Sequence, residues 1–388
     1  MKVLLQSRRT LFTVPGGDTI QILKTQEYLE KVGVQCDLSL ELEPDLRNYD
    51  IVHLFNITRP QEVFVQARNA QRQGKKVIIS PIYVQYTEYE RNARSFPFRI
   101  LSNVLSPHQL EYLKVLARVI KNKEFHKGSR LVIKNGYRNA VEKTLAICNG
   151  LLPNSESEMQ RLRNDFELNS IPHWIVPNAV DQYIFDVNSV KISDKWLQFK
   201  DCVLCAARIE GRKNQLNVVR AMRRLPYKLV LVGSEAPNHK AYAEKVRYEA
   251  GPNVFFLGQL SHEDIAELYY LAKVHVLASW METTGLSSLE AGTMNTNLVI
   301  TDKGDTMDYF KDLVYYCSPE SIESIRQAIL DAWSNPINPD LRNMILEHYT
   351  WENTARVTLE SYSNIVGGEG YGRAGINAAF SNSNYSYL

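Results

Sequence analysis

Long apolar runs are missing from this 388-residue chain. None reaches the ~18 uninterrupted residues from which a membrane-spanning helix is built, so no span is expected. Excess charge is missing too: 45 Lys and Arg stand against 43 Asp and Glu, a formal net charge of +2. Such a balance gives no general field for holding nucleic acid, which is not expected as a partner, and any cations that matter act locally. Cysteine is scarce. Cys36, Cys148, Cys202, Cys205 and Cys317 are odd in number and scattered, which fits reduced core thiols better than a disulfide framework. Cys202 and Cys205 form a C-x-x-C inside an apolar run with no second pair or His pair at zinc spacing, and they read as two strand residues. The opening Met1-Lys2-Val3-Leu4-Leu5-Gln6-Ser7-Arg8-Arg9 turns polar after a short apolar run and lacks the long apolar region and cleavage site of a signal peptide. The expected location is cytoplasmic.

What is present is an average globular composition, 44% hydrophobic and 23% charged, over a length that suits two domains. Short β-branched runs alternate with stretches of helical periodicity. Residues 2–6, 35–40, 51–55 and 76–79 read as strands, and 19–33 and 59–74 as helices. From 107 to 143 the pattern is helical and basic; 146–152 and 173–176 read as strands, with a capping box at Ser155-Glu156-Ser157-Glu158 between them. A second series follows the irregular 178–200, with strands expected at 202–206, 228–232, 254–257, 274–278, 298–301 and 314–316. Helices are expected at 214–225, 239–250, 263–272, 285–293 and 321–334. Strand and helix repeated in this way imply two α/β halves with parallel sheets, ligands being expected at the carboxyl ends of the strands. An amphipathic helix at 351–366 precedes a tail rich in Gly, Asn and Ser, 367–388, expected to be disordered. The domain boundaries that follow are 1–178 and 179–350.

Three local patterns bear on chemistry. In Glu282-Thr283-Thr284-Gly285-Leu286-Ser287-Ser288-Leu289-Glu290-Ala291, a helix opening near Gly285 leaves Glu282 at its mouth and Glu290 ~12 Å further along. The unpaired N–H groups there, Gly285 and Leu286 among them, suit an anion such as a diphosphate. Acids near a helix start are also common without function. In Ala207-Arg208-Ile209-Glu210-Gly211-Arg212-Lys213-Asn214, a cationic loop after a strand suits the same ligand, Arg208 as a planar fork and Lys213 as a point charge; a solvated basic loop is the ordinary alternative. Val14-Pro15-Gly16-Gly17-Asp18-Thr19 is a glycine turn between the first strand and helix. It lets backbone approach a ligand, lacks the G-x-G-x-x-G spacing, and is equally a structural turn.

Together these strings resemble the retaining family-4 glycosyltransferases (glycosyl transferases group 1). Glu282 and Glu290 match the family's Glu-x7-Glu element, Arg208 and Lys213 its Arg-x4-Lys element, and Gly16 and Gly17 its N-terminal glycine loop, in the family's order along the chain. The resemblance implies a GT-B architecture: two facing Rossmann-like domains with an interdomain cleft and a C-terminal helix crossing back. It implies a retaining, metal-independent transfer of a sugar from a nucleotide diphosphate sugar to an acceptor hydroxyl of a glycan, lipid-linked or small-molecule acceptor. Arg208 and Lys213 would neutralise the diphosphate, Glu290 would hold the ribose hydroxyls and Glu282 the sugar. Gly285 and Leu286 would offer N–H groups, Thr284 would lie beside them, and Gly16 and Gly17 would line the donor from the opposite domain. No Asp-x-Asp occurs, and the cation pair would take the role a metal plays elsewhere, so no cofactor is expected. On the acceptor side the candidates are His53, which ends a strand between apolar neighbours and reads equally as a core residue, and Tyr83. The basic 114–143 region, nine cations set among Glu111, Glu124 and Glu142, with Leu113, Leu116, Ala117 and Ile120 at helical spacing beside them, suits peripheral contact with an anionic membrane face or an ordinary solvated surface. Two other readings of the scaffold are a nucleotide-sugar epimerase or hydrolase, and a non-catalytic partner subunit that binds a nucleotide sugar or glycan.

Overall fold

A computed structural model gives the fold and describes residues 1–94, 98–121, 124–168 and 170–367, without the Phe98 side chain. Lys123 of the basic region, and all of the expected tail but Gly367, lie outside the described residues. The chain separates into two compact units. The first comprises Met1–Gln85, Val104–Asn178 and the helix Trp351–Val366; the second comprises Tyr86–Asn103 and Ala179–Thr350.

In the first unit the β-branched runs form five parallel strands: β1 (Lys2–Gln6), β2 (Gln35–Ser39), β3 (Ile51–Phe55), β4 (Lys76–Ser80) and the short β5 (Gly150–Leu151). Their order is β2-β1-β3-β4-β5. All five residues of β3 are buried, as a strand covered by helices on both faces requires. The helix Pro60–Arg72 turns Val63, Ala67 and Ala70 into the core shared with Val52, Leu54, Val77 and Ile79.

The basic stretch resolves into three helices, Pro107–Lys121, Lys127–Asn135 and Tyr137–Leu145. Gly136, at φ +82°, ends the second and starts the third in a conformation that suits glycine. The strand expected at 146–152 shrinks to two residues because Ala146, Ile147 and Cys148 still donate to Glu142, Thr144 and Leu145 of the preceding helix. The strand expected at 173–176 pairs only through a single bridge from His173 to Leu151. Ser155 Oγ does cap its helix, accepting from the Glu158 N–H at 2.9 Å. The helix Trp351–Val366 belongs to this unit and packs on the helix Gly17–Lys31 and on β4; Thr354 Oγ1 donates to the Pro177 carbonyl at 2.8 Å.

The second unit holds six parallel strands: β6 (Cys202–Ala206), β7 (Leu229–Val232), β8 (Val254–Gly258), β9 (Ala272–Leu277), β10 (Asn297–Thr301) and β11 (Tyr315–Cys317). Their order is β11-β10-β9-β6-β7-β8. From β6 the chain builds outward through β7 and β8, then returns to lay β9, β10 and β11 on β6's other side. Two apolar clusters cover the two faces of this sheet, one around Leu204 and Leu289, the other around Val203 and Ile329. A helix at Pro339–His348, not expected from the sequence, is capped by Asn338, whose side chain accepts from Asp340 N–H.

One close approach tests the packing of the first unit. A Cβ on Gly128 would sit 1.6 Å from the Gln61 carbonyl oxygen, so the helix Lys127–Asn135 meets the start of Pro60–Arg72 only because residue 128 is glycine. Gly128→Ala is expected to cost about 3 kcal/mol, the upper end of ordinary overpacking, read as a lowered urea midpoint.

Candidate functional site

The order of the second sheet reverses at β6, between β7 and β9, and a parallel sheet opens a crevice beyond its carboxyl ends at such a point. The loops leaving β6 and β9 meet there. After β6 the chain runs through Arg208 to the 3-10 turn Gly211–Lys213, and Asn214, at φ +58°, turns it into the helix Gln215–Met222. After β9 it runs through Glu282 to Gly285, at φ +74°, the N-cap of the helix Leu286–Thr293.

Lys213 and Glu282 join the two loops. Lys213 Nζ lies 2.5 Å from Glu282 Oε1, and the Glu282 side chain is buried. The Trp280 N–H also donates to the Arg212 carbonyl at 2.9 Å. Arg208 is the most exposed of the loop's three cations, with Glu210 Oε2 at 3.8 Å, while its carbonyl accepts from Gln215 Nε2 at 2.8 Å. Glu210 is buried, which alone would raise its carboxyl, yet Arg212, Arg208 and Lys213 hold it below the usual value. Arg212 pairs with Glu210 Oε1 at 2.9 Å and lies over the Tyr86 ring.

Glu290 stands inside the helix Leu286–Thr293, half-buried, and accepts from the Tyr269 hydroxyl at 3.2 Å. Burial pushes its carboxyl up to about 8, so near neutrality it is largely protonated. Thr284 Oγ1 donates to the Tyr309 hydroxyl at 3.2 Å. No side chain caps the N-terminus at Gly285, and Leu286 takes the first helical position. Buried polar atoms without a hydrogen-bond partner gather around these loops: Ser279 Oγ, Trp280 Nε1, Ser288 Oγ and Gln215 Oε1. Buried polar groups are normally satisfied, so their concentration here marks a place suited to a polar ligand.

The remaining sequence candidates lie in the first unit. Gly16 is the N-cap of Gly17–Lys31, its N–H bonded to Thr19 Oγ1 at 3.0 Å; a Cβ there would meet Asp18 Oδ1 at 3.1 Å. His53 is buried, its Nδ1 at 2.7 Å from the Tyr362 hydroxyl and its Nε2 at 2.9 Å from Ser80 Oγ, and burial takes its imidazole down to about 3. Tyr83 is buried against Phe166 and donates its hydroxyl to Asp165 Oδ2 at 2.7 Å. The polar atoms of these two side chains are thus engaged inside the unit. Cys202 and Cys205 are free, buried strand residues whose thiols burial pushes up to about 12. Among the described residues no three His, Cys, Asp or Glu side chains gather as a metal set.

Sequence reasoning missed three supports. Gly304, at φ +91°, lies where a Cβ would be 1.9 Å from the Glu282 carbonyl oxygen, and the Asp305 N–H donates to that oxygen at 2.9 Å; the Lys303-Gly304-Asp305 turn after β10 was its visible signal. Arg8 grips the glycine loop, donating from Nε and Nη2 to both oxygens of Asp18 at 2.7 and 3.0 Å and from Nη2 to the Val14 carbonyl at 2.8 Å. The segment 86–94 packs on the β6 loop, the Tyr89 hydroxyl lying 2.5 Å from where a Gly211 Cβ would be. Neither of the last two carries a local sequence signal, since each is a contact of long separation or of an ordinary residue type.

Residues 192–350 match the model of the family described as glycosyl transferases group 1. An uncharacterized glycosyltransferase, MJ1607 of Methanocaldococcus jannaschii, is 26% identical over 212 residues, 48% of this chain and 53% of that protein. The serotype-specific mannosyltransferase WbdA of Escherichia coli is 26% identical over 163 residues, 39% of this chain and 20% of that protein. The chain thus matches about half the length of the first relative and a fifth of the second. Among solved structures, a sucrose-phosphate synthase from Thermosynechococcus elongatus superposes with a TM-score of 0.68 at 16% identity, over 95% of this chain and 99% of that one. Anabaena Alr3699/HepE, in complex with UDP-glucose, gives 0.67 at 13% identity over 94% and 100%. At these identities the likeness establishes the fold, GT-B, with its two Rossmann-like units.

Glu290 gives the site a pH signature. Its folded value near 8 lies above the ordinary 4.5, so between these the folded state keeps a proton that the unfolded state gives up, and stability falls as pH rises through that window. Glu290→Gln is expected to remove that slope, raising stability relative to wild type by on the order of 2 kcal/mol at pH 8 and little at pH 5, less than the full linkage because water reaches the half-buried side chain. Urea midpoints at the two pH values measure it.

Proposed function

We propose, from the match of residues 192–350 to the model of glycosyl transferases group 1, that the chain transfers a sugar from a nucleotide diphosphate sugar to an acceptor hydroxyl, with retention and without a metal ion. The observation that carries this reading is the Lys213–Glu282 contact at the strand-order reversal, which brings the cationic loop, the acid loop and the helix start at Gly285 to one place. A departing diphosphate develops negative charge, and Arg208 and Lys213 are preorganised to meet it. The helix N-terminus at Gly285 and Leu286, with Thr284 beside it, adds uncapped N–H groups to the same charge. Glu290 accepts ribose hydroxyls once ligand donors favour its carboxylate. Glu282 stands nearest the start of the helix and faces the sugar. In the first unit, Arg8 holds the Gly16–Gly17 loop in a shape that admits a ligand close to backbone.

Incubation with a panel of UDP-, GDP- and ADP-sugars, with and without acceptors, tests the reaction. Nucleotide release that needs an acceptor is the expected outcome; release without one indicates hydrolysis, and binding of a donor without turnover indicates a non-catalytic protein. Lys213→Met is expected to lower kcat/KM by on the order of 10²-fold, as loss of one charge-stabilising donor does.

The basic helical region supports a peripheral contact with anionic lipid. Leu113, Ile120 and Phe125 are exposed, Ile120 at 73% and Phe125 at 69%, with exposed Lys121, Lys127, Arg130 and Lys134 along the same stretch. That combination of apolar and cationic surface suits a headgroup boundary, and an acceptor carried on lipid would be met there. The protein is expected to co-sediment with phosphatidylglycerol vesicles at low salt, and Ile120→Glu with Phe125→Glu to abolish it. Equal sedimentation of the double variant would remove this part of the reading.

A further inference from the structure

One partly buried cation of the first unit bonds to none of the described residues. Arg118, on the helix Pro107–Lys121, makes no hydrogen bond or ion pair with any of the described residues, and its Nη1 is out of solvent. Burial and the neighbouring charge of Arg59 hold its guanidinium below the ordinary value, with Glu111 and Glu124 pulling the other way. Glu111 is already engaged, 2.5 Å from Lys114 Nζ. A guanidinium offers five donors in one plane, and leaving it desolvated and unpaired is among the costliest arrangements a protein keeps.

The residues around it repeat the pattern. Arg59 ends the loop after β3 and reaches Glu62 Oε1 only at 3.3 Å, while Glu62 Oε2 takes the Arg9 N–H at 2.6 Å. Gln61, in the same first turn of the helix Pro60–Arg72, is fully buried with neither amide atom paired. Across from it the start of the helix Lys127–Asn135 lies against the Gln61 carbonyl, and His126, at that helix's N-cap, has a buried Nδ1 with no partner. Arg59 and Gln61 follow the carboxyl end of β3, where α/β sheets take ligands.

A neutral polyol would satisfy Gln61 and His126 but bring no charge to Arg118, whose Nη1 is unpaired, or to Arg59, held only by Glu62 at 3.3 Å. A tetrahedral dianion accepts two planar forks from different directions. We propose that the acceptor brings a phosphate group to this place, held by Arg118 and Arg59, with Gln61 and His126 taking adjoining hydroxyls. The phosphate belongs either to a soluble sugar phosphate or to a lipid headgroup. Naming the ligand an acceptor rests on the transfer reaction proposed above; the anion site itself does not.

Inorganic phosphate is the first probe, read as the thermal midpoint of the full chain. Millimolar phosphate is expected to raise the midpoint of the wild type and of Lys213→Met, to raise Arg118→Met by distinctly less than either, through the second unit's site alone, and to raise Arg118→Lys by an intermediate amount. Arg118→Met without phosphate is expected to melt above the wild type, because it loses a half-buried charge whose Nη1 is out of solvent and unpaired. No shift in the wild type, or equal shifts in the wild type and Arg118→Met, would overturn the site. In the second arm, neutral sugars, their 6-phosphates and phospholipid in detergent micelles are compared as acceptors. Transfer to one phosphorylated class, at least tenfold over neutral sugars and lost in Arg118→Met, supports the assignment and identifies the source. Equal transfer to neutral and phosphorylated acceptors overturns it. A protein that turns over no donor yet keeps the Arg118-dependent phosphate shift refutes the transfer reaction and leaves the anion site standing.

Discussion

The second unit depends on the ion pair between Lys213 and Glu282. Two charges drawn out of water gain little from mutual attraction alone, and such a pair persists when its surroundings fix it well. Here the fixing is done by backbone. The Glu282 carbonyl accepts from Asp305 N–H, its N–H donates to the Lys303 carbonyl at 3.4 Å, and Gly304 lets those strands of chain touch. The loops after β6, β9 and β10 are therefore tied at one residue. Removing Lys213 would leave a buried carboxylate unanswered, and the N-cap at Gly285, three residues beyond Glu282, would lose the anchor that sets where its N–H groups point.

Much of this was legible because it is local. The runs at 2–6, 51–55 and 202–206 coincide with strands, since β-branched residues between turn signals have few other fates in an α/β chain. The helix expected from 285 starts at Leu286 with Gly285 as its cap, the position that a φ of +74° demands. What the sequence hid was non-local. Arg8 and Asp18 are ordinary residues ten apart whose bidentate contact only the folded loop creates. Residues 86–103 sit in the first half of the chain yet pack with the second unit, and no composition change announces it. The apolar run at 146–152 reads as a strand because alternation cannot register that its first residues still complete a helix.

The two units treat buried charge differently. In the second, Glu210 is held by three cations, Glu282 by one, and Glu290 escapes the penalty by keeping its proton. In the first, Arg8 and Asp18 satisfy each other at 8% and 10% exposure, whereas Arg118 bonds to no described residue and feels only the fields of Glu111 and Glu124. A folding optimum would remove that arginine or supply a partner, as buried polar groups elsewhere in the chain are supplied. Retained uncompensated charge has a physical use where a ligand completes it, because the desolvation is then already borne before binding and the ligand collects the full interaction.

Near-zero net charge follows from the same arrangement. With 45 cations against 43 acids, the long-range field is weak, and at physiological salt a charge is screened within about 8 Å. A polyanionic ligand therefore gains little from steering by the whole surface and is discriminated only on contact, where Arg208 and Lys213 in one unit are preorganised by backbone and ion pairs. Selectivity at such a site resides in geometry more than in attraction: a ligand whose charges match the spacing of fixed cations keeps their orientation, and one that does not must pull Lys213 away from Glu282 to bind. On the proposed transfer reaction, the ion pair that holds the loops together would also reject a poorly fitting anion.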